Sequence, residues 1–272
     1  MAVWQKAIHV ETSRPEPKPG PARWGAQAAL APLALIGFIG LWALFVRVTG
    51  YPAFILPGPE RVWKSFITLA ADGTLWRHTY TTLSEVLAGL ALGVSVAFVL
   101  GYLLSRSRAV ERLVAPYIVA SQSIPTVAIA PLLVIWFGTG ATSKIVVSAL
   151  IVFFPILISC IAGLRSAEPD LRDLMRSLEA TRWQTFAKLE LPAAMPMLLS
   201  GLKVGATLSV IGAVVGEFVG ADRGLGFLVK QGQGIYDTPL MFVAVISLVV
   251  IAMSLYGIVA LIERYLLAWK QA

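Results

Sequence analysis

The sequence predicts an all-α membrane protein with six transmembrane helices. The chain has 272 residues, of which 57% are apolar and 14% are charged, and its mean hydropathy is +0.78. Soluble domains carry about 25% charged residues, so most of this chain is expected to lie in lipid. Ten-residue segments of alternating hydrophobicity, typical of a membrane β-barrel, are not evident. Six apolar stretches are long enough to cross a bilayer as helices, at residues 29–46, 80–104, 113–137, 144–164, 195–219 and 240–262.

Residues 1–28 precede the first span and contain four prolines spaced by polar or small residues. This composition is typical of extended, solvated chain, so a disordered cytoplasmic tail is predicted. The segment is too proline-rich for a signal peptide. The transmembrane domain is expected to cover residues 29–265, and residues 266–272 form a second cytoplasmic tail.

The distribution of Lys and Arg predicts the orientation of the spans. With the N-terminus inside the cell, fourteen basic residues lie on the inner side and seven on the outer side, while Lys203 lies within a span. Basic residues concentrate on the cytoplasmic side of membrane proteins, so both termini and the loop over residues 165–190 are predicted to be cytoplasmic. The same bias explains the formal net charge of +7. No basic cluster is interleaved with aromatic residues in a soluble segment, so nucleic acid is not an expected partner.

A short amphipathic helix is predicted between the first two spans. Pro57, Gly58 and Pro59 break the chain, and the apolar residues of the following segment, 60–71, recur on one side of a helix. Such a helix is expected to lie on the outer leaflet of the membrane.

The third span contains three prolines, Pro116, Pro125 and Pro131. Each removes a backbone donor and kinks or interrupts a helix. Interrupted helices line cavities or hinges, whereas a simple proline kink needs no function because prolines are common in membrane helices. Both interpretations stay open for this span.

The most unusual segment is the polar loop after the fourth span. Ten of the 37 charged residues fall between Arg165 and Glu190, five of each sign. Apolar residues from Leu171 to Leu178 follow a helical spacing, and Thr181 with Gln184 matches a capping box that begins a second short helix. We expect Pro192 to end that second helix. An amphipathic helical pair either lies on lipid headgroups or fits a groove of a soluble partner, and the partner is favoured here.

The fifth span carries a stripe of small residues at spacings of three or four. Such a stripe lets another helix approach closely, either within the chain or between two copies of it. Its members are Gly201, Gly205, Ser209, Gly212, Gly216 and Gly220.

Three charged residues lie within or near the ends of spans, where an unpaired charge is costly. Lys203 is expected to extend its ammonium group back to the cytoplasmic surface, in preference to contacting substrate. Glu85 and Glu217 lie near the outer ends of the second and fifth spans, where each faces either a water-filled vestibule or a helix interface. The single cysteine, Cys160, excludes an intrachain disulfide. Two isolated histidines, of which His78 is one, make a metal site or acid–base chemistry improbable.

The segment from Asp173 to Pro192 resembles the cytoplasmic coupling loop of bacterial ABC importer permeases. In that family an acidic-Ala-Ala start, a glycine six residues later and a final Leu-Pro surround two short helices. Here the start is Asp173-Leu174-Met175 and the end is Leu191-Pro192. The resemblance covers roughly residues 30–265 and is to the permeases for nitrate, sulfonates, taurine and vitamin-like heterocycles. Supporting segments are residues 124–140, 153–155, 192–196 and 215–218.

One position departs from the family pattern. Glu179 stands where the family usually has glycine, in the turn between the two short helices. If that turn requires a positive φ, glutamate has a steric cost that glycine does not have.

The resemblance implies a permease fold like that of type I ABC importers, in the inner membrane of a bacterium. It implies a separate ATPase subunit bound through the loop 165–194, an extracytoplasmic solute-binding protein, surrounding lipid, and a second permease copy in a homodimer. No cofactor is expected in this chain, because the phosphate-binding motif G-x-x-x-x-G-K-[ST] is absent and ATP-Mg belongs to the partner. Trp183 and Phe186 are predicted to anchor the ATPase.

The resemblance also implies two sets of functional residues. The ATPase-coupling residues are Asp173, Leu174, Leu178, Glu179, Ala180, Trp183, Phe186, Leu191 and Pro192. The residues of a translocation path or gate are Pro125, Pro131, Gly212, Gly216, Glu217, Gly224 and Gly226. Residues 221–237, which include the last two glycines, are expected either to border the gate or to form a plain flexible loop.

Two other classes of protein remain as alternatives. A channel subunit would need polar rings along a pore and leaves the loop unexplained, and a secondary transporter would need carboxylates at the midplane, for which Glu217 is the only candidate. A membrane-embedded enzyme is not expected, since no loop holds a paired set of catalytic side chains. Sulfonate, taurine, nitrate, a thiamine pyrimidine and riboflavin are all possible solutes. Residues 78–89 and 236–241 resemble the vitamin-precursor permeases more closely, so riboflavin or a thiamine pyrimidine is favoured.

Overall fold

The structure is a computed structural model that describes residues 21–268, with side chains from residue 32 onward. Within these residues it is helical, without strands. The helices are α1 (Pro21–Thr49), α2 (Pro59–Ala71), α3 (Thr74–Ser105), α4 (Arg108–Gln122), α5 (Thr126–Phe137), α6 (Ala141–Arg165), α7 (Pro169–Ser177), α8 (Arg182–Thr185), a π-helical segment (Phe186–Glu190), α9 (Leu191–Gly220), α10 (Leu225–Gly234) and α11 (Thr238–Leu266). The disordered tail predicted for residues 1–28 lies largely outside the described residues.

Five continuous helices among the described residues are long and apolar enough to cross a membrane, and a sixth span results if the bent pair α4 and α5 is counted as one. This confirms the predicted all-α class with six spans. Residues up to Tyr51 and residues from Pro52 onward form two compact units. In the first unit α1 presents mainly exposed apolar side chains, as expected for a lipid-facing helix.

The centre of the second unit is α6, which packs against both α3 and α9. Glycines of α3 face α6 so closely that added side chains would overlap it: Gly89 meets Ser148 and Gly101 meets Cys160. In lipid, helices associate mainly by close van der Waals packing, which small residues permit. The Cys160 side chain has no exposed surface.

The small-residue stripe of α9 also packs closely against α6. A methyl group at Gly212 would overlap the backbone of Ser148, and one at Gly216 would lie against Lys144. The Ser148 hydroxyl also donates a hydrogen bond to the carbonyl of Ser209, 2.9 Å away. Of the two interpretations of the stripe, packing within the chain is therefore the one that the structure shows.

The third span is broken at one of its three prolines. α4 and α5 meet at an angle of 90° around Ser123, Ile124 and Pro125. The residue before a proline disfavours helical geometry, so Ile124 ends the helical path there. Pro116 and Pro131 lie inside continuous helices. This span is a sharp break, not an ordinary kink.

The amphipathic helix predicted after the first span is present as α2. Val62 is buried, and α2 packs against α3 and α11. Trp63 and Ile67 stay exposed.

The interpretation of residues 221–237 as a plain flexible loop is wrong, because they contain the regular helix α10, whose residues Leu225 and Leu228 are buried. We use the name far end for the end of the bundle at which α3 begins, α9 ends and α10 lies.

Candidate functional site

The loop helix α7 presents apolar side chains that the described chain leaves uncovered. Leu171, Leu174 and Leu178 are all exposed, on a short helix that begins at Pro169. Asp173, on the same helix, pairs with Arg176 at 3.0 Å in solvent. Exposed pairs of this kind contribute little to stability. The exposed apolar side chains of α7 are therefore the feature that indicates a binding surface.

α7 ends in a tight turn that requires a left-handed residue, and that residue is Glu179, with φ of +52°. The Ala180 amide donates to the Met175 carbonyl at 3.0 Å, and the Glu179 amide donates to the Arg176 carbonyl at 2.9 Å. These two bonds define a Schellman motif, whose left-handed position is usually glycine. The positive φ considered for this position is present, and Glu179 has its steric cost.

The capping box predicted at Thr181 is confirmed. The Gln184 amide donates to the Thr181 hydroxyl at 3.3 Å, and the Thr181 amide donates to the Gln184 side-chain oxygen at 2.8 Å. Local hydrogen bonds thus fix the turn after α7 and the start of α8. Ala180, between the two helices, is half-buried.

The two predicted aromatic anchors have different environments. Trp183 is 72% exposed, whereas Phe186 is 7% exposed and packs edge-to-face on Tyr102 with ring centroids 5.1 Å apart. The Phe186 ring is already buried in a cluster with Cys160 and Leu164 of this chain, so Trp183 is the exposed one of the two, and the predicted role of both in binding a partner stays a prediction. The Trp183 ring remains exposed and can contact a partner.

The expectation that Pro192 ends the second loop helix is wrong. The chain passes from α8 through the π-helical segment into α9 without interruption, and Pro192 lies in the first turn of α9. Because the residues before it are already helical, Pro192 lies inside a continuous helical path and does not end it. At the junction the Leu191 amide donates to the Phe186 carbonyl, five residues earlier.

At the far end, Glu217 is fully buried and caps the start of α10 from a neighbouring helix. Its carboxylate accepts hydrogen bonds from the Thr82 hydroxyl at 2.6 Å and from the Gly226 amide. The Leu225 amide donates to the Thr82 hydroxyl at 2.7 Å. A carboxylate is well placed at a helix N-terminus, where backbone N–H groups have no partner within the helix.

The same arrangement explains two predicted gate glycines. Gly224 has φ of +113°, and a side chain at Gly224 or Gly226 would overlap the Glu217 carboxylate. The Gly224 amide donates to the Nδ1 atom of His78 at 2.9 Å, and the His78 ring stacks on Phe227. Of the two environments considered for Glu217, the structure shows the helix interface.

His78 and Glu85 were considered separately from sequence, without a connection to Thr82 or to one another. His78, Thr82 and Glu85 lie at spacings of four and three on one face of α3, a polar stripe that was a usable signal, and all three are buried. Lys144, counted by sequence among the outer basic residues, is also buried. Its ammonium group donates to the carbonyls of Thr139, Gly140 and Gly220, which ties α6 to the end of α9.

Lys203 also has a partner that the sequence did not identify. Its ammonium group lies 2.7 Å from the carboxylate of Glu263 on α11. This ion pair gives the ammonium group a partner, while the expectation that Lys203 extends to the cytoplasmic surface stays a prediction.

A cavity of about 290 Å³ lies beside the break between α4 and α5. Ser121, Gln122 and Thr126 contribute polar atoms, and Phe154 and Pro155 of α6 contribute apolar ones. Pro125 lies at the break itself, whereas Pro131 is one turn further along α5. Within the described residues, no group of three His, Cys, Asp or Glu side chains is placed to hold a metal ion.

Comparison with known proteins identifies similar chains. Residues 89–267 match the profile of a family described as the binding-protein-dependent transport system inner membrane component. A riboflavin transport system permease protein of Chloroflexus aurantiacus is 44% identical over 239 residues, which are 88% of this chain and 89% of the relative.

Two further relatives have other solutes in their names. A formylaminopyrimidine transport permease protein of Halalkalibacterium halodurans is 34% identical over 90% of this chain and 97% of its own length. A taurine transport system permease protein of Escherichia coli is 30% identical over 91% and 92%, respectively. A chain of the inward-facing MetNI methionine ABC transporter has the same fold, with a TM-score of 0.64 at 23% identity over 72% of this chain and 98% of that chain.

Proposed function

We propose that the solute of this protein is riboflavin. The chain belongs to the family of binding-protein-dependent transport system inner membrane components, and it is therefore a permease subunit of an ABC importer for small solutes. The observation that carries the choice is the 44% identity to a relative named a riboflavin permease, over nearly the whole of both chains. Relatives named for a formylaminopyrimidine and for taurine share 34% and 30%. The formylaminopyrimidine, a smaller nitrogen heterocycle, is the second candidate.

Permeases of this family work with an ATPase and a substrate-binding protein. We infer that the ATPase of this importer binds the exposed apolar side chains of the loop, Leu171, Leu174, Leu178 and Trp183. Aromatic and aliphatic side chains that fill a groove supply most of the free energy of such interfaces. ATP-Mg is bound by that partner, and this chain contributes the docking surface.

The solute path is proposed to run past the break between α4 and α5. Gln122, Ser123 and Pro125 are exposed although they lie within a span. Lipid offers no hydrogen-bond partners, so non-helical backbone at this depth must face protein or water. The adjacent cavity, with its Ser121, Gln122 and Thr126 side chains, suits a solute that carries both ring surfaces and hydrogen-bonding groups. A second copy of the chain would close the other side of the path.

The far end is proposed to act as the outer gate. α10 is held to the bundle by Glu217, Thr82 and His78, which bind the backbone at its first residues. Release of these contacts would loosen the start of α10, whose Leu225 and Leu228 side chains are also packed in the bundle. The rocking of two permease copies between outward-open and inward-open states would supply that release.

Uptake by the complete importer tests the solute. The permease, its ATPase and its binding protein are reconstituted in vesicles, and entry of radiolabelled riboflavin is measured with and without ATP. We expect saturable, ATP-dependent entry that excess unlabelled riboflavin abolishes and excess taurine leaves unchanged. Entry of labelled formylaminopyrimidine or taurine, without entry of riboflavin, would contradict the proposal.

A further inference from the structure

An ion pair with a buried carboxylate joins the coupling loop to α3. Glu190, the last residue of the π-helical segment, is 9% exposed. Its carboxylate faces the guanidinium group of Arg106, which ends α3, with nitrogen–oxygen distances of 3.1 Å and 3.2 Å to its two oxygens. A two-bond contact between Arg and a carboxylate fixes orientation as well as distance. The loop is therefore held to α3 in one geometry.

A second contact, one turn away, makes the connection rigid. Phe186 begins the π-helical segment and packs on Tyr102, which lies one turn before Arg106 on α3. Arg106 also lies over the Tyr102 ring, 4.5 Å from its centroid, and donates to the Tyr102 hydroxyl at 2.9 Å. Two residues of the segment thus meet two residues of α3. The hydrogen bonds of the π-helix join residues five positions apart, and this winding places Phe186 and Glu190 on the face that meets α3.

Arg172 connects the first loop helix to the same carboxylate. It lies on α7, donates to the Leu164 carbonyl at the end of α6 at 3.0 Å, and its Nε atom is 4.0 Å from Glu190. That Nε atom is buried and has no hydrogen-bond partner among the described residues. A small movement of α7 toward Glu190 would complete the bond, and a movement away would leave the carboxylate to Arg106 alone.

We propose that Arg106 and Glu190 are positioning residues that transmit displacement of the coupling loop to α3, and so couple ATP hydrolysis to solute movement. The inference rests on the proposed binding of the ATPase to this loop. The exposed residues of the loop meet the partner, whereas the ion pair, in which Glu190 is buried, lies between the loop and a membrane-spanning helix. α3 then extends to the far end, where it carries Thr82 and His78. Movement at the loop thereby reaches the proposed outer gate.

The test measures the number of ATP molecules hydrolysed per solute imported by the complete importer in vesicles. In Glu190→Gln and in Arg106→Gln we expect ATP hydrolysis stimulated by the binding protein to stay near the wild-type rate, while riboflavin uptake falls about tenfold, a typical size for lost coupling between sites. The ATPase should still copurify with both variants. The exchanged double variant, Arg106→Glu with Glu190→Arg, should recover most of the uptake.

The matched control is Glu263→Gln, which removes an ion pair of similar separation between α9 and α11. It should leave the ratio of ATP to solute unchanged. A parallel fall of hydrolysis and uptake in the Arg106 and Glu190 variants would overturn the proposal, because it would indicate a role in folding only. An unchanged ratio, or an exchanged variant no better than the single ones, would overturn it as well. Failure of the wild-type importer to take up riboflavin, or of the ATPase to bind, would instead contradict the proposed function.

Discussion

Replacing Glu179 by glycine should make the coupling loop more stable. The residue has φ of +52°, and its amide is one of the two that close the turn after α7. A left-handed conformation costs an L-residue roughly 1–2 kcal/mol. Glycine avoids this cost but loses about 0.5–1 kcal/mol more conformational entropy on folding. The net gain expected for Glu179→Gly is therefore about 0.5–1 kcal/mol.

Hydrogen exchange measures this gain where it arises. The Glu179 and Ala180 amides are the donors of the turn, so their exchange reports its opening. A gain of about 0.5–1 kcal/mol slows exchange of Ala180 about two- to fivefold, since 1.4 kcal/mol is a factor of ten. Ala180 is the same residue in every variant, so its amide is the site to compare, with each rate divided by the intrinsic rate for its own local sequence.

Glu179→Ala is the control, because it removes the carboxylate but keeps the Cβ atom that causes the steric cost. Its Ala180 amide should exchange no more slowly than in the wild type. If the alanine variant is protected as well as the glycine variant, the gain comes from losing the charge and the steric reasoning is refuted. Faster exchange in Glu179→Gly would refute it too.

Three other substitutions test separate parts of the structure. Trp183→Ala should weaken binding of the ATPase in copurification about 30-fold, because truncation of an anchoring aromatic residue costs about 2 kcal/mol, and unchanged copurification would count against the docking surface. Thr82→Val should lower the free energy of unfolding by about 2 kcal/mol, because it leaves the Leu225 amide without its partner. The control Thr81→Val should have little effect, and equal losses in the two variants would show that the cap at α10 is unimportant. Gly212→Ala should lower the thermal midpoint because its methyl group would overlap α6, a result that a neutral outcome would disprove.

Local features of the coupling loop were predictable from sequence. The capping box needs only Thr181 and Gln184, three residues apart, and the turn before it follows from the end of α7. The positive φ at Glu179 was considered because of one departure from the family pattern. Interactions over a few residues are set by the local sequence, so pattern analysis finds them.

Features that depend on distant partners were not predictable. Phe186 is buried by Tyr102, which lies 84 residues earlier, and nothing near Phe186 in the sequence distinguishes it from the exposed Trp183. Lys203 is neutralised by Glu263, 60 residues later. Lys144 reads as an ordinary residue of an outer loop until the end of α9 is brought beside it. One sequence carries no signal for which spans are neighbours.

The prediction that Pro192 ends a helix was wrong because the helix is continuous at that position. Proline usually ends a helix, but in the first turn of α9 it only continues a path that the π-helical segment has already prepared. The sequence pattern recognises the residue type, whereas its effect depends on the register of the hydrogen bonds before it.

The unbroken helix from Arg182 to Gly220 has 39 residues and is therefore about 58 Å long, nearly twice the thickness of the lipid hydrocarbon. Such a helix is longer than the hydrocarbon layer is thick, with residues proposed to bind the ATPase near one end and Glu217 near the other. If this helix slid along its axis past α3 by a single turn, about 5.4 Å, two contacts would break together: the ion pair of Glu190 with Arg106 near one end, and the hydrogen bond from the Thr82 hydroxyl to Glu217, now 2.6 Å long, near the other. Because both contacts join the same two helices, a displacement at one end is shared along the whole length of both helices without an intermediate hinge.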